Sequence, residues 1–363
     1  MILPVSVYFS FQWLDSSARR RRLMQVGGIL LLPVAALLWL LPFRLACFNM
    51  RAFGHLCLEP YLLRIDARVR VRVFALGGEA VANRALYDFL KTQYPVIENR
   101  WLIGLLATLY SWRFLQVDVG AYIYSHKGEL PQYAEVLEKY RSGSAAVGYR
   151  QALLRFIDRH QPVPALADFI RRYPRGYAVV HWRVDDSKTI HNIRNSRGSD
   201  LIDAIVMIRQ AGYGVCIGGD GYEKDPSYAQ IAGMEGVCFP PRSAEDAGTA
   251  DLWLLAHAAF GVYGDSGISI VPAVLGKAAV IHNHVSSGLP AVDPSWIYCF
   301  KTMCWRATGK PVPIEDLRRL NLLRKPDGIV CEANGIEAVD CPSAEISEAV
   351  RTLLQRLSTA EPQ

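Results

Sequence analysis

Several short polar clusters carry the residue types that chemistry at a phosphate or a hydroxyl needs. His181-Trp182-Arg183 ends the apolar run 177–182, with Asp185, Asp186, Arg194 and Asn195 following. Gly218-Gly219-Asp220-Gly221 follows the run 213–217, Gly264-Asp265-Ser266-Gly267 the run 259–263, and Asn283-His284 the run 278–282. An arginine such as Arg183 grips a diphosphate through two parallel hydrogen bonds and keeps its charge. Asp265-Ser266-Gly267 opens a predicted helix, where free N–H groups and the positive end of the helix dipole favour a phosphate. Gly267 would let such a ligand approach the backbone. Each cluster also has a plainer reading. Asp265 or Ser266 can simply cap the helix. Arg183 can pair with Asp185 or Asp186. His181, on the opposite side of its strand from Trp182, can be a core histidine. Far upstream, Arg51-Ala52-Phe53-Gly54-His55 sits at a strand-to-helix turn. Gly54 permits close approach there, and His55 or Glu59 can take a proton from a hydroxyl or serve the fold alone.

These clusters need elements to align them. The runs 177–182, 213–217, 236–239, 259–263 and 278–282 are short, apolar and bounded by Gly, Pro, Asp or Asn. Helical patterns near 199–211, 225–233, 246–258 and 267–275 separate them. That alternation predicts a doubly wound parallel sheet, whose ligands bind beyond the carboxyl ends of the strands. The first half opens as β-loop-α-β. Strands are expected at 44–50 and 69–75, with a helix over 56–66 despite Pro60 and another near 83–93. Residues 101–140 read as mainly helical. Pro162 and Pro164 interrupt a helical pattern over 147–172 and mark a junction. The expected order is a basic, hydrophobic segment at 1–43, an α/β lobe at 44–165, a second α/β lobe at 166–345, and a C-terminal helix and tail at 346–363. Two such lobes predict a two-lobed enzyme with a central cleft.

Composition excludes several classes. Of 363 residues, 51% are hydrophobic and 20% charged, which suits a large core and opposes global disorder. The formal charge is +6, and residues 1–22, with four Arg and one Asp, hold +3 of it. The remainder is too evenly balanced for a nucleic-acid footprint. Walker A and GxGxxG patterns are missing, so P-loop and dehydrogenase readings lack their fingerprints. The eight cysteines read as reduced thiols, several inside apolar runs such as Gly214-Val-Cys216-Ile217. No Cys-x-x-Cys and no Asp-x-Asp pair suggests a metal. Neither a cofactor nor a metal is expected.

Residues 23–43 contain no charge, and a helix of that length reaches about 31 Å, enough to cross a hydrocarbon core. Arginines flank both sides and Pro33 interrupts the middle. Both ends are therefore expected on one side of a membrane, with the segment re-entrant or interfacial.

Together, Arg51-Ala52-Phe53-Gly54-His55-Leu56, His181-Trp182-Arg183, Arg194-Asn195-Ser196, Gly219-Asp220 and Asp265-Ser266-Gly267 resemble a bacterial family of glycosyltransferases. That family is of GT-B type and distantly similar to the fucosyltransferase and protein O-fucosyltransferase group. The likeness runs in order through about residues 44–290. It implies a GT-B-like fold with two Rossmann-like lobes and a metal-independent transferase. The second lobe would bind a nucleotide-diphosphate sugar, such as a GDP-sugar, with Arg183 on the diphosphate. The first would face the acceptor, a surface-polysaccharide glycan or a lipid-linked molecule. His55, Glu59 and Arg183 are the catalytic candidates. Arg51, Gly54, His181, Arg194, Asn195, Gly219, Asp220, Asp265, Ser266, Gly267 and Asn283 are the substrate-binding ones. Two departures stand out: no arginine precedes Gly219-Asp220, and Val184 separates Arg183 from Asp185. The membrane surface as partner places the chain at the cytoplasmic face of a bacterial inner membrane. The rival reading is a non-catalytic nucleotide-sugar-binding or polysaccharide-assembly protein.

Overall fold

The computed structural model describes residues 33, 40, 43–69, 72–77, 81–99, 101–103, 106, 116–123, 132–160, 164–184, 192–240, 247–285, 291–323 and 326–359. The expected membrane segment, except for Pro33, Leu40 and Phe43, and the pair Asp185-Asp186 lie outside them. Among the described residues no helix is long and apolar enough to cross a membrane. The chain forms two compact units, Met1–Phe156 and Ile157–Gln363, each an α/β fold built on a parallel sheet.

In the first unit, strands β1 (Phe43–Ala46), β2 (Arg72–Leu76), β3 (Val96–Ile97) and β4 (Gln116–Val117) pair in the order β3-β2-β1-β4, every pair parallel. Helices α1 (Phe53–Ile65) and α2 (Arg84–Gln93) make the crossovers from β1 to β2 and from β2 to β3. Then come α3 (Gly120–Ile123), α4 (Tyr133–Tyr140) and α5 (Ser144–Ile157). The expected first strand stops early, at Ala46, and the expected helix starts early, at Phe53. Gly54 and His55 thus occupy the first turn of α1 and not a loop before it. A helical Gly costs about 1 kcal/mol relative to Ala. Burial of every residue from Leu56 to Leu63 outweighs that cost.

The second unit starts with α6 (Pro164–Arg171) and carries β5 (Tyr177–His181), β6 (Gly214–Ile217), β7 (Val237–Cys238), β8 (Phe260–Gly264), β9 (Ala278–His284) and β10 (Ile297–Phe300). Their order is β10-β9-β8-β5-β6-β7, again wholly parallel. Helices α7 (Ile202–Gln210), α8 (Tyr228–Ala232), α9 (Ala247–His257) and α10 (Ile270–Leu275) connect successive strands as the alternation predicts. Both faces of the sheet are covered, which is why its central strands read as near-continuous apolar runs. On one face Ala178, Val180, Val215, Ile217, Phe260, Val262 and Val280 form the core with Ile205 and Ile208 of α7.

The last helix, α13 (Ser343–Thr359), begins before residue 346. Its Ile346, Val350 and Leu353 enter this same core. It belongs to the second unit, because an amphipathic helix buries its apolar stripe where a bare sheet face offers one. A satellite of β11 (Thr302–Trp305), α11 (Ile314–Arg319), α12 (Gly328–Ala333) and β12 (Ile336–Val339), with β11 and β12 antiparallel, precedes it.

Candidate active site

In the second unit the chain leaves β5 on one side to build β6 and β7, then returns to build β8, β9 and β10 on the other. The order therefore reverses between β5 and β8. A crevice must open beyond their carboxyl ends, since the connections depart in opposite directions. Arg183 follows β5 and Asp265-Ser266-Gly267 follows β8, so these candidates share one switch point.

The crevice walls are held by specific bonds. Ser196 grips Arg183 from both sides: the Arg183 N–H donates to Ser196 Oγ at 3.3 Å, and the Ser196 N–H donates to Arg183 O at 3.0 Å. Gly264 ends β8 against this pair. A Cβ there would lie 3.3 Å from Ser196 Oγ, 3.5 Å from Arg183 N and 3.6 Å from His282 Cε1. His282 of β9 reaches across β8 and donates from Nε2 to His181 O at 3.0 Å. Burial pushes the His282 imidazole down to about 4, so it is neutral, and its Nδ1 accepts from the Asn283 amide at 3.2 Å.

His181 and Trp182 point to opposite faces, as the alternation requires. Trp182 is wholly buried in the core, whereas the His181 ring packs against Gly219. Gly219 has φ of 96°, and a Cβ there would sit 2.6 Å from His181 Cδ2. Both the backbone and the space therefore require glycine. Asp220, next in the chain, is exposed at the end of β6.

Asp265 is the electrostatic centre. Its Oδ1 lies 3.8 Å from Arg194 Nη1, its Oδ2 lies 3.2 Å from His284 Nδ1, and Oδ2 accepts from the Val285 N–H at 3.2 Å. The His284 Nδ1 approach falls outside hydrogen-bond geometry. Burial alone would raise the Asp265 carboxyl. His284, Arg194 and the Val285 N–H more than reverse that and hold it at about 2. Asp265 is thus an anion that positions cations and does not cap the helix. Nor does the Ser266 side chain, which makes no capping bond. The predicted helix 267–275 instead begins as a 3-10 turn, Gly267–Ser269, before α10.

Asn195 is tied down from behind. Its carbonyl accepts from Lys301 Nζ at 2.5 Å, and the same Nζ lies 2.6 Å from Asp340 Oδ1. Asn283 is fully buried, at a φ of 56°, and its Oδ1 accepts from the Cys341 N–H at 2.7 Å. Both ends of its amide serve the protein. Ser196, His282, His284 and Lys301 are the residues that sequence reasoning left out of the candidate set. His284 carried a signal, its place after the run 278–282. Lys301 carried none.

In the first unit the corresponding reversal lies between β1 and β4, and the chain leaving β1 leads into α1. His55 and Glu59, one turn apart on that helix, form a single device: His55 Nδ1 lies 2.8 Å from Glu59 Oε1. Glu59 Oε2 accepts from the Asn49 N–H at 2.8 Å. Glu59 is 2% exposed and His55 is partly open. A buried carboxylate in an apolar helix demands this satisfaction. Gly54 is half-buried beside the pair and Arg51 is exposed.

Among the described residues, no group of three or more His, Cys, Asp and Glu is placed to hold a metal ion. No known protein family matches the sequence, and no curated protein does. Solved structures give distant likenesses. One is the dodecameric iron-containing heptosyltransferase TibC in complex with ADP-D-beta-D-heptose, at 12% identity over 87% of this chain and 77% of that one, with a TM-score of 0.45. Another is the E. coli ADP-heptose LPS heptosyltransferase II, at 12% over 87% and 100%, with a TM-score of 0.44. A third is a glycosyl transferase family 9 protein from Veillonella parvula, at 10% over 87% and 98%, with a TM-score of 0.47. These are not the fucosyltransferases that the motifs resemble. Identities and scores this low assign neither family nor substrate.

Proposed function

We propose that the chain is a glycosyltransferase whose second unit binds a nucleoside-diphosphate sugar in the β5/β8 crevice. The observation that supports this best is the convergence of Arg183, Arg194 and the Asp265-Ser266-Gly267 turn on one switch point. A leaving nucleoside diphosphate gathers negative charge on its terminal phosphate as its bond to the anomeric carbon breaks. Fixed cations and N–H groups stabilise that charge without reorganising. The acceptor hydroxyl oxygen forms the new bond to the anomeric carbon and gives up its proton. His55 is the base in this reading and Glu59 its positioning partner. With Nδ1 turned to the carboxylate, the second ring nitrogen is the one that takes the proton. Arg51 and Gly54 border the acceptor, which is a surface-polysaccharide glycan or a lipid-linked molecule.

The donor panel for testing begins with GDP-sugars, from the motif resemblance. It includes ADP-heptose, the compound named for the similar heptosyltransferases, and UDP-sugars. Thermal shift of the full chain with each donor and its nucleoside diphosphate comes first, and transfer assays come second. Arg183→Ala should remove most transfer, by about a hundredfold or more, which is the range for losing one preorganised charge donor. Full activity in that variant refutes the role. Nucleotide binding without transfer to any acceptor would reduce the protein to the binding class.

A further inference from the structure

Strand β9 carries a bulge at its carboxyl end. It pairs with β10 through Val280↔Ile297 and Ile281↔Tyr298, then slips to His284↔Phe300. The extra residue is taken up at His282-Asn283, where Asn283 adopts φ of 56°. A bulge resets the alternation and re-aims the next side chain. Here it sets the His284 ring against both Tyr298 and Phe300, with centroids 5.4 Å from each, and turns Nδ1 to Asp265. With Asp265 Oδ2 3.2 Å from Nδ1, a proton on that nitrogen is electrostatically favoured, although the pair falls outside hydrogen-bond geometry. The other ring nitrogen, Nε2, makes no hydrogen bond among the described residues, and the side chain is 21% exposed.

We propose that His284 is a further diphosphate ligand, the partner of Arg183 and Arg194 at the leaving phosphate, and that it binds that phosphate through Nε2 as an imidazolium. The inference rests on the diphosphate reading of the crevice. Charge matching requires the imidazolium. With Nδ1 protonated toward Asp265, a neutral ring would present a lone pair to the anion and repel it. Only the doubly protonated ring donates to both carboxylate and phosphate. In the diphosphate complex His284 holds both ring protons while the sugar leaves. The charged and titratable groups around the ring are Asp265 and, beyond it, Arg194 from the loops, Tyr298 from β10, and His282 on its own strand. Lys301 donates its backbone N–H to His284 O, while its Nζ is held by Asp340.

The test uses inorganic pyrophosphate as probe, with the full chain, titrated by calorimetry from about pH 5.5 to about pH 8.5, across the ordinary histidine range. Pyrophosphate titrates in this range too, so the readout is the difference between variants at each pH. Wild type should lose more affinity than His284→Gln as pH rises, and should exceed it by about tenfold at the acid end. Thermal unfolding checks that the variant is folded. His284→Phe, which keeps a ring against Tyr298 and Phe300, should match His284→Gln. If Arg183→Ala abolishes binding while wild type and both His284 variants share one pH profile, the inference is overturned and the crevice reading survives. If pyrophosphate binds wild type at no pH, the crevice reading itself falls.

Discussion

Replacing Asp265 with Asn isolates the electrostatics of the crevice. The folded state holds this carboxyl at about 2 against an ordinary value of 3.8. At about 1.4 kcal/mol per pKa unit, that difference is worth about 2 kcal/mol at neutral pH. The lowered value sets the sign. The stabilisation is complete above the unfolded-state pKa and is lost as pH falls from about 4 through about 2. Asp265→Asn should therefore be about 2 kcal/mol less stable than wild type at pH 7, and the gap should shrink to about 1 kcal/mol at pH 3. In a unit of this size the neutral-pH loss lowers the unfolding midpoint by about 4–8 °C. Urea unfolding of both proteins at each pH, monitored by tryptophan fluorescence, measures the gap. Equal stability at pH 7, or a gap that does not narrow in acid, would show that Asp265 does not hold its cations as the distances imply.

Two further substitutions separate positioning from binding. Glu59→Gln keeps an acceptor for the Asn49 N–H and removes the charge that orients His55. It should lower kcat by about tenfold to a hundredfold and change its pH profile, while donor KM stays put; an unaltered profile would leave Glu59 a structural group. Asn283→Ala strands the Cys341 N–H and should cost about 1–3 kcal/mol of stability, read by thermal melts. Its folded fraction should bind nucleoside diphosphate with an affinity near wild type. A selective loss of affinity with the His284 bulge intact in a crystal structure of the variant would make Asn283 a ligand instead.

The sheet of the second unit was legible in the sequence because its strands are buried on both faces. Tyr177–His181, Gly214–Ile217 and Ala278–His284 lie where apolar runs and flanking glycines put them. Strands β3 and β4, of two residues each, carry no such pattern. They exist because β2 and β1 offer edges to pair with. The site was legible in part. The residues just beyond each strand include Arg183 and Asp265, and sheet topology alone carries those positions to one edge. The contacts that set their geometry are different in kind. Lys301 meets the Asn195 carbonyl across 106 residues, and His282 meets the His181 carbonyl across 101. Neither spacing has a period to betray it. His55 and Glu59 stood as alternatives while α1 was expected to begin at residue 56. Once Phe53 starts the helix, both lie on it one turn apart, and the alternatives become one pair.

The two units solve the same positional problem by the same means. In each, the first strand of the sheet is central and the order reverses beside it, β3-β2-β1-β4 in one and β7-β6-β5-β8-β9-β10 in the other. In each, a carboxylate meets a histidine near that reversal: buried Glu59 lies 2.8 Å from His55, and half-buried Asp265 lies 3.2 Å from His284. The two carboxylates differ in what else they hold. Glu59 accepts one backbone N–H and, among the described residues, meets no Lys or Arg at ion-pair distance. Asp265 also lies 3.8 Å from Arg194 Nη1. In the proposed function, the partners of these two carboxylates distinguish a histidine that accepts a proton from one that faces an anion.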